Sequence, residues 1–251
     1  QSLSDFSMTV EPAPSGLSWG LDALGNERAL LWFDGLHESL RITTHAAVTT
    51  SLVNPFNFLL SADASRLPLT LPESEAEVLA AYLRPRHPAP PGNDRLGRLV
   101  ADLVRDNAGF LDFLLALNRT LFDSLRKITR LEPGVLPPEV TLASGQGACR
   151  DATLVFLEAC RRVGVPARYI SGYQAGDIDD EEGELHAWAE AYVPGADWMG
   201  FDPTHGLVVA DQHVILAKGA EPEQTAPVAG SLRGTGAVAR MSHGMRIVVE
   251  A

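Results

Sequence analysis

The sequence has little cysteine and no long apolar run. Its two cysteines, Cys149 and Cys160, are eleven residues apart. On one continuous helix they would share a face at a separation of about 16 Å, far beyond disulfide reach. Without a cysteine framework, we expect a cytoplasmic protein that needs no oxidising compartment. The longest apolar stretch, 110–117, is interrupted by Asp112 and falls far short of the roughly 18 residues of a membrane-spanning helix.

Basic residues are also scarce. The chain of 251 residues has 20 Lys and Arg against 32 Asp and Glu, a formal net charge of −12. This balance excludes nucleic-acid binding through a general basic surface. The first residues show no basic segment followed by an apolar stretch, the pattern of a secretory signal peptide. We therefore expect neither a nucleic acid nor a membrane as partner.

The composition is that of a folded chain, with 45% hydrophobic and 21% charged residues. The length suggests two domains. The first fifty residues read as strands: the run 39–53 is rich in β-branched residues, and Gly25-Asn26 supplies a turn between two of the strands. We predict an N-terminal antiparallel β domain over residues 1–68, with strands at 6–10, 17–21, 28–33 and 39–53. Asn54-Pro55 ends the last strand, and the irregular segment from there to about Pro72 is the predicted linker.

The second region, 69–251, begins with helices. Apolar residues recur at three- and four-residue spacing near 96–103 and 113–121, and another helix is predicted at 76–83. Strand patterns return afterwards, at 167–174, 185–193, 198–202, 213–217 and 237–249. A helical segment followed by a sheet indicates the α+β fold class.

Cys149 begins a further helix, on the same stripe as the apolar residues that follow it. The unpaired N–H groups and the dipole of a helix N-terminus favour a thiolate, which is the state of a nucleophilic cysteine. Taken alone, a cysteine here is equally compatible with a small buried hydrophobe. Cys160 lies well inside the helix and is expected to be structural.

A thiol nucleophile needs a base, and the base needs an acceptor that orients it. His186 lies on a strand where alternation places it with Trp188 on one face and alanines on the other. A turn at Pro194-Gly195 predicts a hairpin that brings Asp202 beside His186. Each residue alone also has a structural interpretation, His186 as a core histidine and Asp202 before Pro203 as a turn residue.

These pieces, in this order, resemble the bacterial branch of the transglutaminase-like superfamily of cysteine enzymes. The resemblance is carried by four segments: GACRD at 147–151, GVPARYISGY at 164–173, HAW at 186–188 and FDPT at 201–204. The β-rich start is similar to the N-terminal domain of that branch. The segment 219–222 departs from the usual Gly-Arg-Asp-Tyr pattern of the family.

The resemblance implies a papain-like core in which the nucleophile helix packs on an antiparallel sheet. It also implies the triad roles: Cys149 as nucleophile, His186 as general base and acid, and Asp202 as the acceptor that orients the imidazole. The expected activity is that of a thiol protease or amidase working through a thioester acyl-enzyme, without metal or cofactor, on a peptide or protein substrate. Acyl transfer from glutamine to amines is a variant of the same mechanism.

Several points stay open in the sequence. The oxyanion would be held by the Cys149 backbone N–H and a second donor, for which Gln146 and the Trp188 indole are the candidates. The acidic run 177–182 is either a solvated loop or a cation site, and its spacing is a poor calcium pattern. A non-catalytic peptide-binding module is the second class of function. A metal site on Cys149 and His186 is weaker, because no paired-cysteine spacing accompanies them.

Overall fold

The computed structural model describes residues 1–107, 109–175, 185–231, 233 and 240–249. The N-terminal part is made of strands, and the helices come before most strands of the main sheet, as the α+β class predicts. The elements are β1 (Ser2–Glu11), β2 (Gly16–Leu21), β3 (Glu27–Trp32), β4 (Arg41–Thr49), α1 (Glu73–Leu83), α2 (Arg95–Asp106), α3 (Phe110–Ser124), β5 (Arg126–Lys127), α4 (Pro138–Ser144), β6 (Gln146–Gly147), α5 (Cys149–Arg162), β7 (Ala167–Gln174), β8 (His186–Val193), β9 (Asp197–Asp202), β10 (Leu207–Val208) and β11 (His213–Gly219).

The four predicted N-terminal strands are confirmed, although the last is shorter than predicted. β1 pairs antiparallel with β4, and β2 pairs antiparallel with β3. The two ladders leave large apolar side chains in contact with solvent: Trp19 is 54% exposed and Leu30 is 62% exposed. Little apolar area is therefore buried within this region, and contacts with the rest of the chain must contribute to its placement.

The N-terminal region binds the edge of the main sheet through side-chain amides. The main sheet has the order β10-β9-β8-β7-β11, so within the described residues one edge of β11 has no neighbouring strand. The Gln1 amide donates to the Ile215 carbonyl at 2.8 Å and accepts from the Ile215 N–H at 2.8 Å. Asn26 makes the same pair of bonds with Lys218, at 2.8 and 2.9 Å. Each amide satisfies one N–H and one C=O of the strand edge, as a further strand would.

Residues 50–72 join the two regions, and a single 3₁₀ turn, Ala62–Ala64, forms within this connection. Ala64 and Leu69 are buried in the main core, so the end of the connection packs against the helices and the sheet. The domain boundary at residue 68 stays a prediction.

The central helix of the core is α5, which is buried along nearly its whole length. Phe156 stacks on Phe201 of β9, with ring centroids 5.2 Å apart. The small side chains of β8 face the same cluster and allow the helix to approach the sheet closely; they are Ala187, Ala189 and Ala191. Within the described residues, no helix combines the length and the apolar character needed to cross a membrane.

Some elements differ from the prediction. Helix α4 was not predicted because of the prolines around it, yet Pro138 occupies the first turn, where a missing N–H costs no hydrogen bond. The predicted strand 237–249 is wrong for residues 240–249, which form no strand. Met241 and Val248 are exposed there, and Gln1 and Asn26 already occupy backbone groups of the β11 edge. Residues 237–239 and the acidic run 177–182 lie outside the described residues.

A buried ion network fixes the C-terminal end of α5. The Arg161 guanidinium lies 2.9 Å from Glu158 and 2.9 Å from Glu221, and its own side chain has no solvent exposure. The Glu158 carboxylate also accepts the backbone N–H groups of Arg86 and His87. Glu221, in the segment that departs from the family pattern, thus pairs with the central helix.

Replacing Arg161 should destabilise the fold strongly. Arg161→Met leaves the buried Glu158 carboxylate without its cation, and we expect a loss of about 3–5 kcal/mol in the free energy of unfolding. Arg119→Ala is the matched control, because that arginine is exposed and its contacts with Asp123 and with the Phe122 ring both lie within α3. It should change stability by less than about 1 kcal/mol. Urea denaturation followed by circular dichroism measures both variants. Similar small losses in the two would contradict a structural role for the buried network.

Candidate active site

The start of α5 is held in place by a buried carboxylate. Asp151, in the first turn and fully buried, accepts the N–H of Ala148 at 2.9 Å and the N–H of Leu136 at 2.8 Å. Its other partner is the Arg130 guanidinium, at 2.9 Å. Because Cys149 follows Ala148 as the first helical residue, these bonds fix the backbone from which the thiol projects.

A hydroxyl group joins this helix start to the sheet. Thr153 Oγ1 lies 2.8 Å from the Cys149 carbonyl oxygen and 3.1 Å from the Ala187 carbonyl oxygen. The first of these contacts lies one turn along α5, and the second lies on β8 beside His186. The nucleophile candidate and the base candidate are therefore held by one connected set of polar contacts.

His186 and Asp202 meet as the sequence predicts. The β8–β9 hairpin pairs Val193 with Asp197, and His186 Nε2 lies 2.7 Å from Asp202 Oδ2 at the other end of the hairpin. Because Nε2 is committed to the carboxylate, Nδ1 is the ring nitrogen left for the hydrogen bond that His186 makes with Cys149. The Asp202 carboxylate, the His186 imidazole and the Cys149 thiol are therefore connected in series by hydrogen bonds.

The electrostatics of these three side chains favour the charged form of the Cys149 sulfur. Burial raises the pKa of the Cys149 thiol. The hydrogen bond and charge of His186, together with the backbone N–H groups of Ala187 and Arg150, lower it by more than burial raises it, so the pKa lies below the ordinary value. Burial lowers the pKa of His186, and bonding to Asp202 and Cys149 raises it to about 9. The arrangement therefore stabilises a thiolate beside an imidazolium.

The Asp202 carboxylate is fully buried and accepts more hydrogen bonds than the sequence indicated. Oδ1 accepts the backbone N–H groups of Thr204 at 2.9 Å and His205 at 3.3 Å. Oδ2 is bonded to three imidazoles: His186 at 2.7 Å, the His205 ring at 2.8 Å and His213 at 3.1 Å. Burial raises the pKa of Asp202, but these bonds lower it well below its usual range. The carboxylate stays ionised in the core.

Sequence reasoning missed His205 and His213. His205 lies three residues after Asp202, within the turn that follows β9, so its proximity could have been read from the chain. His213 belongs to β11, which is separated from β9 by two strands in the sheet order. No local pattern could indicate that contact.

The two candidate oxyanion donors have different surroundings. The Trp188 ring is fully buried and stacks near His186, with centroids 6.1 Å apart. The side-chain amide oxygen of Gln146, Oε1, accepts a hydrogen bond from the Arg126 guanidinium. The side-chain NH₂ group of Gln146 is then the donor that is available. The backbone N–H groups of Arg150 and Ala187 bond the Cys149 sulfur. An oxyanion role for Trp188 or Gln146 stays a prediction.

A metal ion bound by His186, Asp202 and His205 would compete with the hydrogen bonds among these residues. The ligating atoms of His186, Asp202 and His205 lie within 4.8 Å of one another, close enough for one ion. His186 Nε2 and His205 Nδ1, however, already bond Asp202 Oδ2. A metal ion would have to displace these hydrogen bonds and break the chain from Asp202 to Cys149.

The second cysteine lies apart from this chemistry. Cys160 is buried within α5, and burial raises its pKa above the ordinary value. Both cysteines are free thiols, in agreement with the expected absence of a disulfide between them. Only Cys149 combines partial exposure with a cationic neighbour.

The comparisons with known proteins agree with this fold. In the search of curated proteins, an uncharacterized protein of Mycobacterium tuberculosis is 26% identical over 241 residues, covering 89% of this chain and 74% of the relative. A protein-glutamine gamma-glutamyltransferase of Pseudomonas aeruginosa is 35% identical over 66 residues, covering 24% of this chain and 10% of that protein. A crystal structure from Cytophaga hutchinsonii, of a protein described as a "putative cysteine protease", matches with a TM-score of 0.63 at 19% identity, covering 90% of this chain and 73% of that one.

Two family models match, and together they cover more than half of the chain. Residues 1–49 match the bacterial transglutaminase-like N-terminal region. Residues 98–203 match the transglutaminase-like superfamily, and this segment contains Cys149, His186 and Asp202. The resemblance to the transglutaminase-like superfamily is therefore confirmed, by its core over residues 98–203 and by its bacterial N-terminal region over residues 1–49.

Proposed function

We propose that this protein is a cysteine peptidase or amidase that hydrolyses peptide or isopeptide bonds through Cys149, His186 and Asp202. One observation carries the proposal: a continuous hydrogen-bonded chain runs from the buried Asp202 carboxylate through His186 to a thiol at a helix N-terminus, with the pKa of the thiol lowered and that of the imidazole raised. A purely structural cysteine would need neither of its neighbours in this arrangement.

The reaction follows from the residue types. The Cys149 thiolate attacks the amide carbonyl, the carbon–oxygen π pair moves onto oxygen, and the helix-start N–H groups stabilise that charge. Collapse breaks the carbon–nitrogen bond, and His186 gives its proton to the departing amine. The now neutral His186 takes a proton from water, whose oxygen attacks the thioester. The acid is released and the thiolate–imidazolium pair is restored. Asp202 keeps the ring oriented throughout.

The proposed substrate is a peptide or protein, because an amide carbonyl is the group that this chain of residues activates. Each step uses protons and electron pairs supplied by the three side chains, the substrate and water. The proposed mechanism therefore requires no redox cofactor.

Acyl transfer is the alternative outcome of the same thioester. The similarity of a 66-residue segment to the Pseudomonas aeruginosa gamma-glutamyltransferase favours this variant. An amine in place of water would then receive the acyl group, and exclusion of water from the thioester would decide the product. A binding module of the same fold is disfavoured, because peptide recognition alone does not require an ion-paired thiol.

The thiol should react with iodoacetamide well below the pH of an ordinary cysteine, whose pKa is about 8.5. The hydrogen bond and charge of His186 lower the pKa of Cys149, so the thiolate forms at a lower pH than in an ordinary cysteine. In His186→Ala, burial acts without the opposing cation, and alkylation at neutral pH should fall by about tenfold or more. Peptide mass spectrometry measures the rate at each pH.

Cys160 is the internal control in that experiment. It is buried, with a raised pKa, and should remain unmodified while the protein is folded. Titration of Cys149 as an ordinary thiol in the folded protein would contradict the proposed ion pair, and the binding-module interpretation would then lead.

Cys149→Ala should abolish covalent chemistry, whereas Cys160→Ala should retain it. A peptide mixture is incubated with each protein in the presence of a primary amine, and mass spectrometry detects cleaved peptides, amine-linked peptides and the acylated enzyme. Cleavage without amine incorporation supports hydrolysis, and incorporation supports acyl transfer. Equal loss of all products in the two folded variants would contradict Cys149 as the nucleophile.

A further inference from the structure

The contact between His213 and Asp202 joins two strands that are not neighbours. In the main sheet β8 and β7 lie between β9 and β11, yet His213 Nε2 lies 3.1 Å from Asp202 Oδ2. His213 is the first residue of β11, and Asp202 is the last residue of β9. The hydrogen bond between these side chains therefore connects the end of β9 to the start of β11.

The packing on one face of the sheet holds His213 in this position. The chain between β10 and β11 carries Val209 onto Trp188 and Ile170, and the His213 ring stands edge-on to Trp188, with centroids 5.0 Å apart. Gly172 makes room beneath, since a Cβ there would lie 2.5 Å from the Trp188 ring. The imidazole therefore packs against Trp188 as well as bonding Asp202.

The hydrogen bonds determine the protonation form of His213. Its Nε2 faces a carboxylate oxygen and must carry the hydrogen. Its Nδ1 is buried and meets no partner among the described residues, so a second N–H there would be an unsatisfied buried donor. The ring is therefore neutral, with its hydrogen on Nε2. A neutral donor holds Asp202 without competing with the positive charge of His186.

We propose that His213 is a positioning residue, whose neutral imidazole donates Nε2–H to Asp202 and keeps Oδ2 directed at His186. The groups that face Asp202 from the surrounding elements are His186 on β8, His205 and Thr204 in the turn after β9, and His213 on β11. The His186 and turn donors lie close to Asp202 on the hairpin and its turn. Only His213 restrains the carboxylate from the opposite edge strand. This inference rests on the proposed function.

Two substitutions separate the hydrogen bond from the packing. His213→Gln keeps an N–H donor near the Nε2 position, and His213→Leu keeps an apolar side chain without a donor. We expect His213→Leu to slow Cys149 alkylation at neutral pH by about tenfold, the order of one hydrogen bond to a charged group, and His213→Gln to stay within about threefold of the unmodified chain. His45→Gln, on the exposed face of β4, is the control and should change nothing.

Wild-type rates for both His213 variants would overturn the proposal. Equal slowing in both would also overturn it, because the donor would then not be what matters. Circular dichroism and urea denaturation of each variant distinguish slowing from loss of folding.

A spectroscopic measurement tests the proposal independently of thiol reactivity. In protein labelled with ¹⁵N-histidine, we expect His213 as the neutral Nε2–H tautomer at neutral pH, assigned by its disappearance in His213→Gln. The His186 ring should be doubly protonated at neutral pH in the unmodified chain and in both variants, and it should lose its proton at a pH about one unit lower in His213→Leu than in the other two. A charged His213, or one with its hydrogen on Nδ1, would overturn the proposal even if His213→Leu does not fold. An ordinary Cys149 thiol with these histidine states intact would count against the proposed function alone.

Discussion

The buried carboxylate of Asp202 is the interaction on which the arrangement of the site depends. A carboxylate without solvent exposure is costly unless hydrogen bonds and charge compensate its lost hydration. Here three imidazoles and two backbone N–H groups supply that compensation. The bonds come from β8, the turn after β9 and β11, so the group that orients His186 also ties these elements together.

A second buried carboxylate has the matching role on the helix side. Asp151 fixes the first turn of α5 through Ala148, Leu136 and Arg130, and Asp202 fixes the imidazole on the sheet. The thiol and its partner thus project from two separately braced elements. Such bracing limits the movement of both groups, which the proposed reaction would require.

The N-terminal region contacts β11, the strand that carries His213. Gln1 and Asn26 bond the edge of β11 at Ile215 and Lys218, and β11 begins with His213. The strand therefore has bonds to the N-terminal region along its edge and to Asp202 at its start. These bonds satisfy backbone groups of a strand edge that would otherwise be unpaired.

Much of this protein could be predicted from the sequence because its signals are local. Alternating residues place Trp188 and the alanines on opposite faces of β8, and a Pro194-Gly195 turn sets the hairpin that brings Asp202 to His186. Helix periodicity places Cys149 at a helix start. These features depend on residues within one or two elements, so spacing is sufficient to predict them.

The tertiary structure decided what depends on separate segments meeting. The bonds from His213 to Asp202, from Arg130 to Asp151 and from Arg161 to Glu221 join residues far apart in the chain or in the sheet. The unpaired state of 240–249 is likewise a matter of sheet context rather than composition, since its apolar residues alone predicted a strand. Local sequence therefore determined most of the elements and the identity of the candidate site residues. Only folding determined which buried charges neutralise one another, because that depends on which distant groups share a low-dielectric space.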